Sequence, residues 1–140
     1  KIVETEAYRA PDDKACHAYQ NLQTKRTSIM FEEGGVAYVY LCYGMHWMLN
    51  IVTGEESYPA AVLMRGTEAF NGPGRLTKGL GVTGSFNGKN LHTQDSIWIE
   101  ESEGKPKQIF AGPRIGVDYA GPEWSQKPYR FWFSNCRGIV

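Results

Sequence analysis

With 140 residues, of which 41% are hydrophobic and 21% are charged, the chain is long enough for one domain with its own core, and a second domain is not expected. Lysine and arginine number 15, as do aspartate and glutamate, and this balance counts mildly against a protein that holds nucleic acid by an excess of positive charge. No run of about eighteen apolar residues is present, so the sequence predicts no membrane-spanning helix.

Three cysteines, Cys16, Cys42 and Cys136, show neither the paired spacing of a disulfide framework nor the Cys/His spacing of a zinc site. We therefore expect a reducing compartment and no bound metal. The sequence begins at Lys1 and enters a strand-like run at once, with no visible signal or transit peptide. This start leads us to expect that a natural N-terminal segment is missing.

Residues 2–7 alternate in a way that predicts a β-strand. Ile2, Glu4 and Glu6 point to one face, so two carboxylates share that face with an apolar side chain. The commoner explanation is an edge strand with a solvated, charged face. A glutamate beside aromatic residues in a cleft could instead act as a general base.

Pro11, Asp12 and Asp13 predict the start of a short helix, because proline and acidic side chains suit the first helical turn. Residues 14–18 continue this predicted helix and carry His17. Most lone histidines are structural, but histidine is also the usual proton-transfer residue, so a functional role stays open. Residues 21–29 are polar, lack apolar periodicity and predict a loop.

The densest aromatic and β-branched segment is VAYVYLCYGMHWMLNIV, residues 36–52, which is interrupted once at Gly44. It predicts two antiparallel strands joined by a tight turn. Alternation divides the first strand into two faces, with Val36, Tyr38, Tyr40 and Cys42 on one and Ala37, Val39, Leu41 and Tyr43 on the other.

The register of this hairpin depends on its loop. A two-residue loop at Gly44 and Met45 places Tyr40 opposite Leu49, whereas a three-residue loop at residues 44–46 places Tyr40 opposite Asn50. In both registers Tyr43 lies beside the tip, where little core is available. It is then either a surface residue of a hairpin packed on its own domain, or an aromatic wedge for a partner such as nucleic acid.

Residues 60–64 form an apolar run that predicts a buried strand ending at Arg65, and an arginine in that position commonly pairs with a carboxylate. Asn71-Gly72-Pro73-Gly74 opens a predicted short helix that Gly81 ends. The free amides at its start suit an anion, although a plain helix cap is the commoner explanation. Neither a Walker motif nor a dinucleotide-binding glycine pattern is present.

Residues 97–99, 110–117 and 129–133 predict further strands, the second of them interrupted at Pro113 as in an edge strand or a bulge. Many short strands with few helices predict a single α+β domain, mainly an antiparallel curved sheet or partly open barrel with short helices and a protruding β-hairpin. Acidic clusters could occupy one surface and basic residues another, namely Lys25, Arg26, Arg75, Lys78, Arg114, Lys127 and Arg130.

Several segments occur in a fixed order: ETEAY, a histidine nine residues after its tyrosine, MF, YVYLCYGMHWMLNI, VLMRG, GPGRL and GPRIGV. Together they resemble the 3-methyladenine DNA glycosylases of the alkyladenine (methylpurine) type. The resemblance covers nearly all of residues 1–140, and the N-terminal helix and first strand of the family are absent from it. It implies a monofunctional enzyme without a cofactor, which flips damaged purines out of double-stranded DNA and hydrolyses their N-glycosidic bond to start base excision repair.

The resemblance implies two catalytic residues. Glu6 would activate the water that attacks the sugar C1′, and Arg65 would help hold Glu6 and that water, with the backbone carbonyl of Ile115 as a third contact. An alkylated purine is already cationic and leaves readily, and its departure gives an oxocarbenium-like sugar that a carboxylate can stabilise. No lysine falls on a matched catalytic position, so we expect a water nucleophile and no Schiff base.

The resemblance also implies a binding pocket. Tyr8 and Tyr40 would sandwich the flipped base, and His17 would stack and hydrogen bond near the sugar and base. Asn50 would line the floor of the pocket and clash with the 2-amino group that guanine carries and adenine lacks. If Tyr40 and Asn50 line one pocket, the three-residue loop is the better choice for the hairpin.

Outside the pocket, the resemblance implies that Tyr43 fills the gap left in the duplex and that Met30 and Met45, in the matched MF and YGM segments, also contact DNA. Thr27 and Ser28 depart from the residues that family members often carry, so loop contacts to DNA are expected to differ. We expect a monomer without membrane association. It would be cytoplasmic and nucleoid-associated in a bacterium, or nuclear in a eukaryote.

Two alternatives remain. The fold of these glycosylases resembles the C-terminal domain of methionyl-tRNA formyltransferase, so a non-catalytic nucleic-acid-binding module is one alternative. The joint presence of Glu6, Tyr8, Tyr40 and Asn50 counts against it. The second is a small-molecule N-ribohydrolase, against which the wedge-like Tyr43 counts.

Overall fold

The computed structural model describes residues 1–93, 96–104, 106 and 108–133, so Cys136 lies outside the described residues. Six antiparallel strands form one sheet in the order β2-β3-β4-β1-β6-β5. Its strands are β1 (Ile2–Arg9), β2 (Ala37–Cys42), β3 (His46–Val52), β4 (Ala60–Thr67), β5 (Ile109–Gly112) and β6 (Arg130–Phe133). The predicted α+β class is confirmed, with an open rather than a closed sheet.

Within the described part of the chain, two short α-helices accompany the sheet, α1 (Pro73–Leu80) and α2 (Gly121–Ser125). The predicted helix after Asn71 is confirmed as α1, and Gly81 ends it in the left-handed conformation with φ of 67°. Thr77 of α1 is buried and donates a hydrogen bond to the backbone carbonyl of Trp47 at 2.8 Å, which fixes the helix against β3. Among the described residues there is no helix with the length and hydrophobicity that crossing a bilayer requires.

The sheet separates two apolar clusters. On one face Val39, Leu49 and Met64 pack with Leu76 of α1. On the opposite face Tyr38 packs with residues from the irregular segments between β1 and β2, namely Cys16, Ala18 and Met30. Because alternate residues of one strand point to opposite faces, Tyr38 and Tyr40 lie together on the second face, as the sequence predicts.

Strand β1 lies in the interior of the sheet. It pairs with β4 over most of its length and with β6 from Glu4 to Glu6. The edge-strand explanation of its two carboxylates is therefore wrong, and the side chains of Glu4 and Glu6 are 2% and 0% exposed. Two acidic residues that the sequence allowed to be solvated are instead buried.

Strand β4 carries an irregularity beside these carboxylates and extends to Thr67, past its predicted end at Arg65. Glu4 pairs with Gly66 and Thr5 with Met64, so the pairing skips Arg65. A residue left over in this way forms a bulge, which changes the direction of its side chain. The bulge lets the Arg65 guanidinium approach the buried carboxylates of β1.

The hairpin of β2 and β3 has a three-residue loop, but at Tyr43, Gly44 and Met45. Cys42 pairs with His46, so Tyr40 lies opposite Met48, and Asn50 lies opposite Tyr38. Both predicted partners of Tyr40, Leu49 and Asn50, are therefore wrong. The loop begins one residue early because Tyr43 itself adopts a left-handed conformation, with φ of 50°. The observed register differs by two residues from the preferred one, which leaves Tyr40 and Asn50 on one face, as expected.

Two other predicted elements are wrong. Residues 11–18 form turns rather than a helix, because the buried Asp13 carboxylate accepts the backbone N–H of Ala15 at 3.0 Å and competes with helical hydrogen bonding. Residues 97–99 form no strand. The strand predicted at residues 110–117 is confirmed only before Pro113, as edge strand β5, and residues 113–117 form no strand. The closing aromatic strand is confirmed as β6.

Gly54, in the turn after β3, generates a prediction about stability. A Cβ atom there would collide with the backbone carbonyl oxygen of Tyr58 and lie 3.4 Å from the backbone nitrogen of Ala60. Gly54→Ala should therefore lower the free energy of unfolding by about 1–3 kcal/mol, measured by urea denaturation. Gly66→Ala is the matched control, since its Cβ would meet nothing closer than 3.5 Å. Equal stability of the two variants would contradict the prediction.

Candidate active site

A cavity of about 430 Å³ opens on the sheet face that carries Tyr38 and Tyr40. Its walls come from β1, the turns before β2, the hairpin, β4 and the segment after β5. All of the predicted site residues except Met45 line it, namely Glu6, Tyr8, His17, Met30, Tyr40, Tyr43, Asn50, Arg65 and Ile115. The sheet thus brings together residues that lie far apart in the sequence.

Glu6 is held by three groups at the wall of the cavity. Its Oε1 accepts the backbone N–H of Ile115 at 2.7 Å and lies 3.5 Å from Nη1 of Arg65. Its Oε2 accepts the hydroxyl of Tyr8 at 2.8 Å. The Ile115 contact is made by the N–H group, and the role that the resemblance gives to its carbonyl stays a prediction. Donors on both oxygens fix the orientation of the carboxylate.

Glu4 is a second buried carboxylate of this site, and it pairs with Arg65, the same arginine that faces Glu6. Its Oε1 accepts Nε of Arg65 at 3.1 Å and Nη1 of Arg130 at 3.2 Å. Arg65 therefore bridges the two glutamates, and Arg130 supplies a second positive charge. A buried cluster with two anions and two cations avoids the cost of an unpaired charge. Sequence alternation placed Glu4 beside Glu6 but gave no sign of its partners.

The aromatic wall consists of neutral side chains. Burial first, and then the charge and hydrogen bond of Glu6, raise the pKa of the Tyr8 hydroxyl well above its usual value. Burial likewise raises the pKa of Tyr38 to about 12 and that of Tyr40 further. Burial and the nearby charge of Arg26 lower the pKa of His17 to about 4. At neutral pH this wall carries no charge of its own.

Tyr38 and Tyr40 hold His17 in place. The ring of His17 stands edge-on to Tyr40, with 4.7 Å between the centroids, and its Nδ1 lies 3.0 Å from the Tyr38 hydroxyl. The next residue on this face, Asn50, is 4% exposed and donates from Nδ2 to the backbone carbonyl of Tyr38 at 3.1 Å. Tyr38 is thus a site residue that the resemblance did not assign, although its alternation with Tyr40 could have suggested it.

Large exposed side chains lie at the cavity and beside it, and of these Tyr43 and Tyr119 belong to its lining. Tyr43 is 89% exposed and Met45 is 70% exposed at the tip of the hairpin, and Tyr119 is 70% exposed. Met30, for which the resemblance implies a contact with DNA, is only 2% exposed and belongs to the core beneath the cavity. It can be reached only from inside the cavity.

The predicted basic surface is only partly correct. Arg114 is buried against Asp13, and Arg130 pairs with Glu4, so neither is a free surface cation. Among the described residues, Arg26 contributes to the lining of the cavity, no lysine does, and no group of acidic, histidine and cysteine side chains could hold a metal ion. The arrangement can therefore offer a carboxylate and polarising donors to a flat ligand held between aromatic rings.

The chain matches the family model described as "Methylpurine-DNA glycosylase (MPG)" over residues 1–71 and 67–137. A protein of Myxococcus xanthus is 45% identical, over 99% of this chain and 75% of its own length. Proteins of Anaeromyxobacter and Chlamydia pneumoniae are 44% and 43% identical, over 94% and 95% of this chain and 70% and 77% of their own lengths.

Each of these three relatives carries the name "Putative 3-methyladenine DNA glycosylase". Both the family match and the relatives extend over nearly the whole chain, including every segment that lines the cavity. The chain therefore belongs to the methylpurine-DNA glycosylase family, and it is a hydrolase of the 3-methyladenine DNA glycosylase type.

Proposed function

We propose that this glycosylase flips a damaged purine nucleotide into the cavity and hydrolyses its N-glycosidic bond with a water molecule activated by Glu6. The observation that carries the proposal is the fixed Glu6 carboxylate at the wall of an aromatic cavity. The Glu6 side chain is 0% exposed and belongs to the lining of the cavity, so it is protected from bulk water.

The chemistry requires one anion with two tasks. Departure of the purine leaves positive charge on the sugar, which the Glu6 carboxylate stabilises, and the same carboxylate takes a proton from the attacking water. Each carboxylate oxygen has two acceptor sites, so the contacts with Tyr8 and Ile115 leave acceptor sites unused that a hydrogen bond from water can fill. Arg65, shared between Glu6 and Glu4, limits the movement of that carboxylate.

The walls of the cavity suit an alkylated purine. Tyr8 and Tyr40 would stack on the two faces of the flipped base, and each stacked aromatic contributes about 1–3 kcal/mol, enough to offset much of the cost of flipping. A cationic purine gains further from the π-electrons of neutral rings. The lowered pKa of His17 keeps that side chain uncharged, so it adds no repulsion toward such a base.

Asn50 is positioned for discrimination between purines. Its Nδ2 is fixed by the Tyr38 carbonyl, so the amide cannot turn aside without breaking a buried hydrogen bond. We propose that this rigid amide clashes with the 2-amino group of guanine and thereby favours adenine-type lesions.

Tyr43 is proposed to enter the duplex when the nucleotide leaves it. Its ring is exposed at the tip of a three-residue loop in which Tyr43 and Gly44 both have positive φ, so the loop holds the ring away from the domain core. An aromatic side chain between base steps replaces the stacking that the flipped base gives up. Double-stranded DNA bound by a monomer fits this arrangement.

Glu6→Gln tests the chemical step. The amide keeps the shape of the side chain but cannot accept the proton of water, so single-turnover excision from a duplex with one methylated purine or hypoxanthine should slow roughly 100- to 10,000-fold while binding persists. Glu123→Gln, an exposed carboxylate paired with Lys127, is the matched control and should cut normally. Wild-type excision by Glu6→Gln would overturn the proposal.

Tyr43→Ala tests the wedge. Loss of one stacked ring should weaken binding to a duplex with a flipped or abasic nucleotide by roughly 10-fold or more, because stacking contributes about 1–3 kcal/mol. A single-stranded oligonucleotide of the same sequence has no gap to fill and should lose much less affinity. Tyr43→Phe keeps the ring and serves as the control. Equal losses on single and double strands would rule out a wedge.

His17 generates a prediction about pH. Its pKa is about 4 in the folded protein, below the value of about 6.5 for free histidine. Between these values the unfolded chain binds a proton that the folded chain does not, so the stabilisation is complete above pH 6.5 and is lost as the pH falls toward 4.

The stability difference between wild type and His17→Gln, measured by urea unfolding, should therefore be smaller at about pH 4.5 than at about pH 7. His92→Gln changes an exposed histidine outside the cavity and is the matched control variant. The same pH dependence in wild type and His17→Gln would contradict a neutral, buried His17.

A further inference from the structure

Arg114 is fully buried, with 0% of its side chain exposed, and the proposed mechanism gives it no task. Its guanidinium forms two parallel hydrogen bonds with Asp13, from Nη1 to Oδ2 at 2.5 Å and from Nη2 to Oδ1 at 2.8 Å. Nη1 also donates to the backbone carbonyl of Ala7 at 2.9 Å. Ala7 lies between Glu6 and Tyr8 in the sequence, so Arg114 binds the backbone of β1 between these two site residues.

The guanidinium also supports the ring of Tyr8. Its Cζ lies 4.6 Å from the Tyr8 ring centroid and 5.2 Å from that of Tyr129, so it lies close to both aromatic rings. The Tyr8 hydroxyl in turn donates to Oε2 of Glu6. A planar cation against an aromatic face limits the positions that the ring can take.

The residue that follows Arg114 in the chain contacts Glu6 directly. Ile115 donates its backbone N–H to Oε1 of Glu6 at 2.7 Å. The Arg114 guanidinium is anchored to β1 and to Asp13. Because Ile115 is the next residue in the chain, this anchor also fixes the position of the Ile115 N–H. Arg114 therefore controls the donors on both oxygens of the carboxylate, Tyr8 on one and Ile115 on the other.

Asp13 connects Arg114 to a second part of the cavity lining, at Ala15 and Tyr119. It is fully buried, and its Oδ1 accepts the backbone N–H of Ala15, whose own carbonyl accepts the Tyr119 hydroxyl at 2.9 Å. Ala15 and Tyr119 both line the cavity. One ion pair thus connects β1, the turns before β2 and the segment after β5.

Stability alone does not explain this pair. A buried ion pair can often be replaced by apolar residues of similar volume without loss of stability, because desolvation offsets the attraction between the charges. In addition, Nε of Arg114 is buried and has no hydrogen-bond partner among the described residues. An apolar pair could not donate to the Ala7 carbonyl, pack a cation on the Tyr8 ring and anchor the segment of Ile115 at the same time.

We propose that Arg114, with Asp13 as its counter-ion, is a positioning residue for the excision step, acting through Tyr8 and the Ile115 N–H to hold the Glu6 carboxylate in its reactive orientation. This inference rests on the proposed role of Glu6. Because a displacement of about 1 Å at a catalytic group can cost roughly 100-fold in rate, the effect should fall on chemistry more than on DNA binding.

The test is Arg114→Met, which removes the fork of donors and keeps an apolar chain of similar reach. Two quantities are measured: the single-turnover excision rate constant with enzyme in excess, and the affinity for a duplex with a non-cleavable abasic analogue. We expect the rate constant to fall roughly 10- to 100-fold and the affinity to stay near that of the wild type. Arg114→Lys keeps the charge but not the planar fork, and its rate constant should fall as well.

Gly54→Ala is the control for destabilisation, since it strains a turn that does not line the cavity. It should lower the melting temperature without lowering the rate constant of the folded enzyme. If Arg114→Met and Arg114→Lys both excise at the rate of Gly54→Ala, the inference is overturned. Asp13→Asn, which keeps the size of the side chain, applies the same test if Arg114→Met does not fold, with a reduced rate constant expected.

The outcome for Glu6→Gln separates this inference from the proposed function. If Glu6→Gln cuts at the wild-type rate, the proposed function fails, whatever Arg114 does. If Glu6→Gln is inactive while the Arg114 variants keep the wild-type rate constant, only the positioning role fails. Slow excision by both, with affinity for the abasic duplex retained, supports both.

Discussion

The rest of the site depends on the burial of two carboxylates in the middle of a sheet. Glu4 and Glu6 lie on an interior strand where neither can be solvated freely, so every neighbouring element must supply a compensating group. β4 supplies Arg65, β6 supplies Arg130, and the segment after β5 supplies the N–H of Ile115. The fold is in this sense arranged around the cost of burying two acids, one of which is Glu6, the proposed catalytic residue.

The two faces of the sheet have different tasks. The face with Val39 and Leu49 is covered by α1 and supplies ordinary apolar packing. The opposite face is covered only in part, and the uncovered part is the cavity. Aromatic side chains are efficient there because they fill space around an empty site and still present flat surfaces to a ligand.

Local sequence patterns predicted the parts of the fold that depend on neighbouring residues. Alternation located β1 and the hairpin strands, and glycine located the end of α1. Patterns failed where distant residues decide the conformation. Asp13 was predicted to begin a helix, but it is buried as the ion-pair partner of Arg114, which lies 101 residues away in the sequence. The hairpin loop was misplaced because Gly44, the obvious turn residue, is preceded by a tyrosine that also takes positive φ. The site residues were predicted through family resemblance, which gave no hint of Glu4, Arg114 or Tyr38.

The bulge at Arg65 limits how the length of β4 can vary. Leu63 pairs with Glu6, Met64 belongs to the apolar cluster beneath α1, and Arg65 faces the buried glutamates. Insertion or deletion of one residue between positions 63 and 66 would exchange these faces, sending the guanidinium into the α1 cluster and the thioether toward the glutamates. Substitutions can therefore change individual side chains of this strand one at a time. An insertion or deletion in it would disrupt both the site and the core.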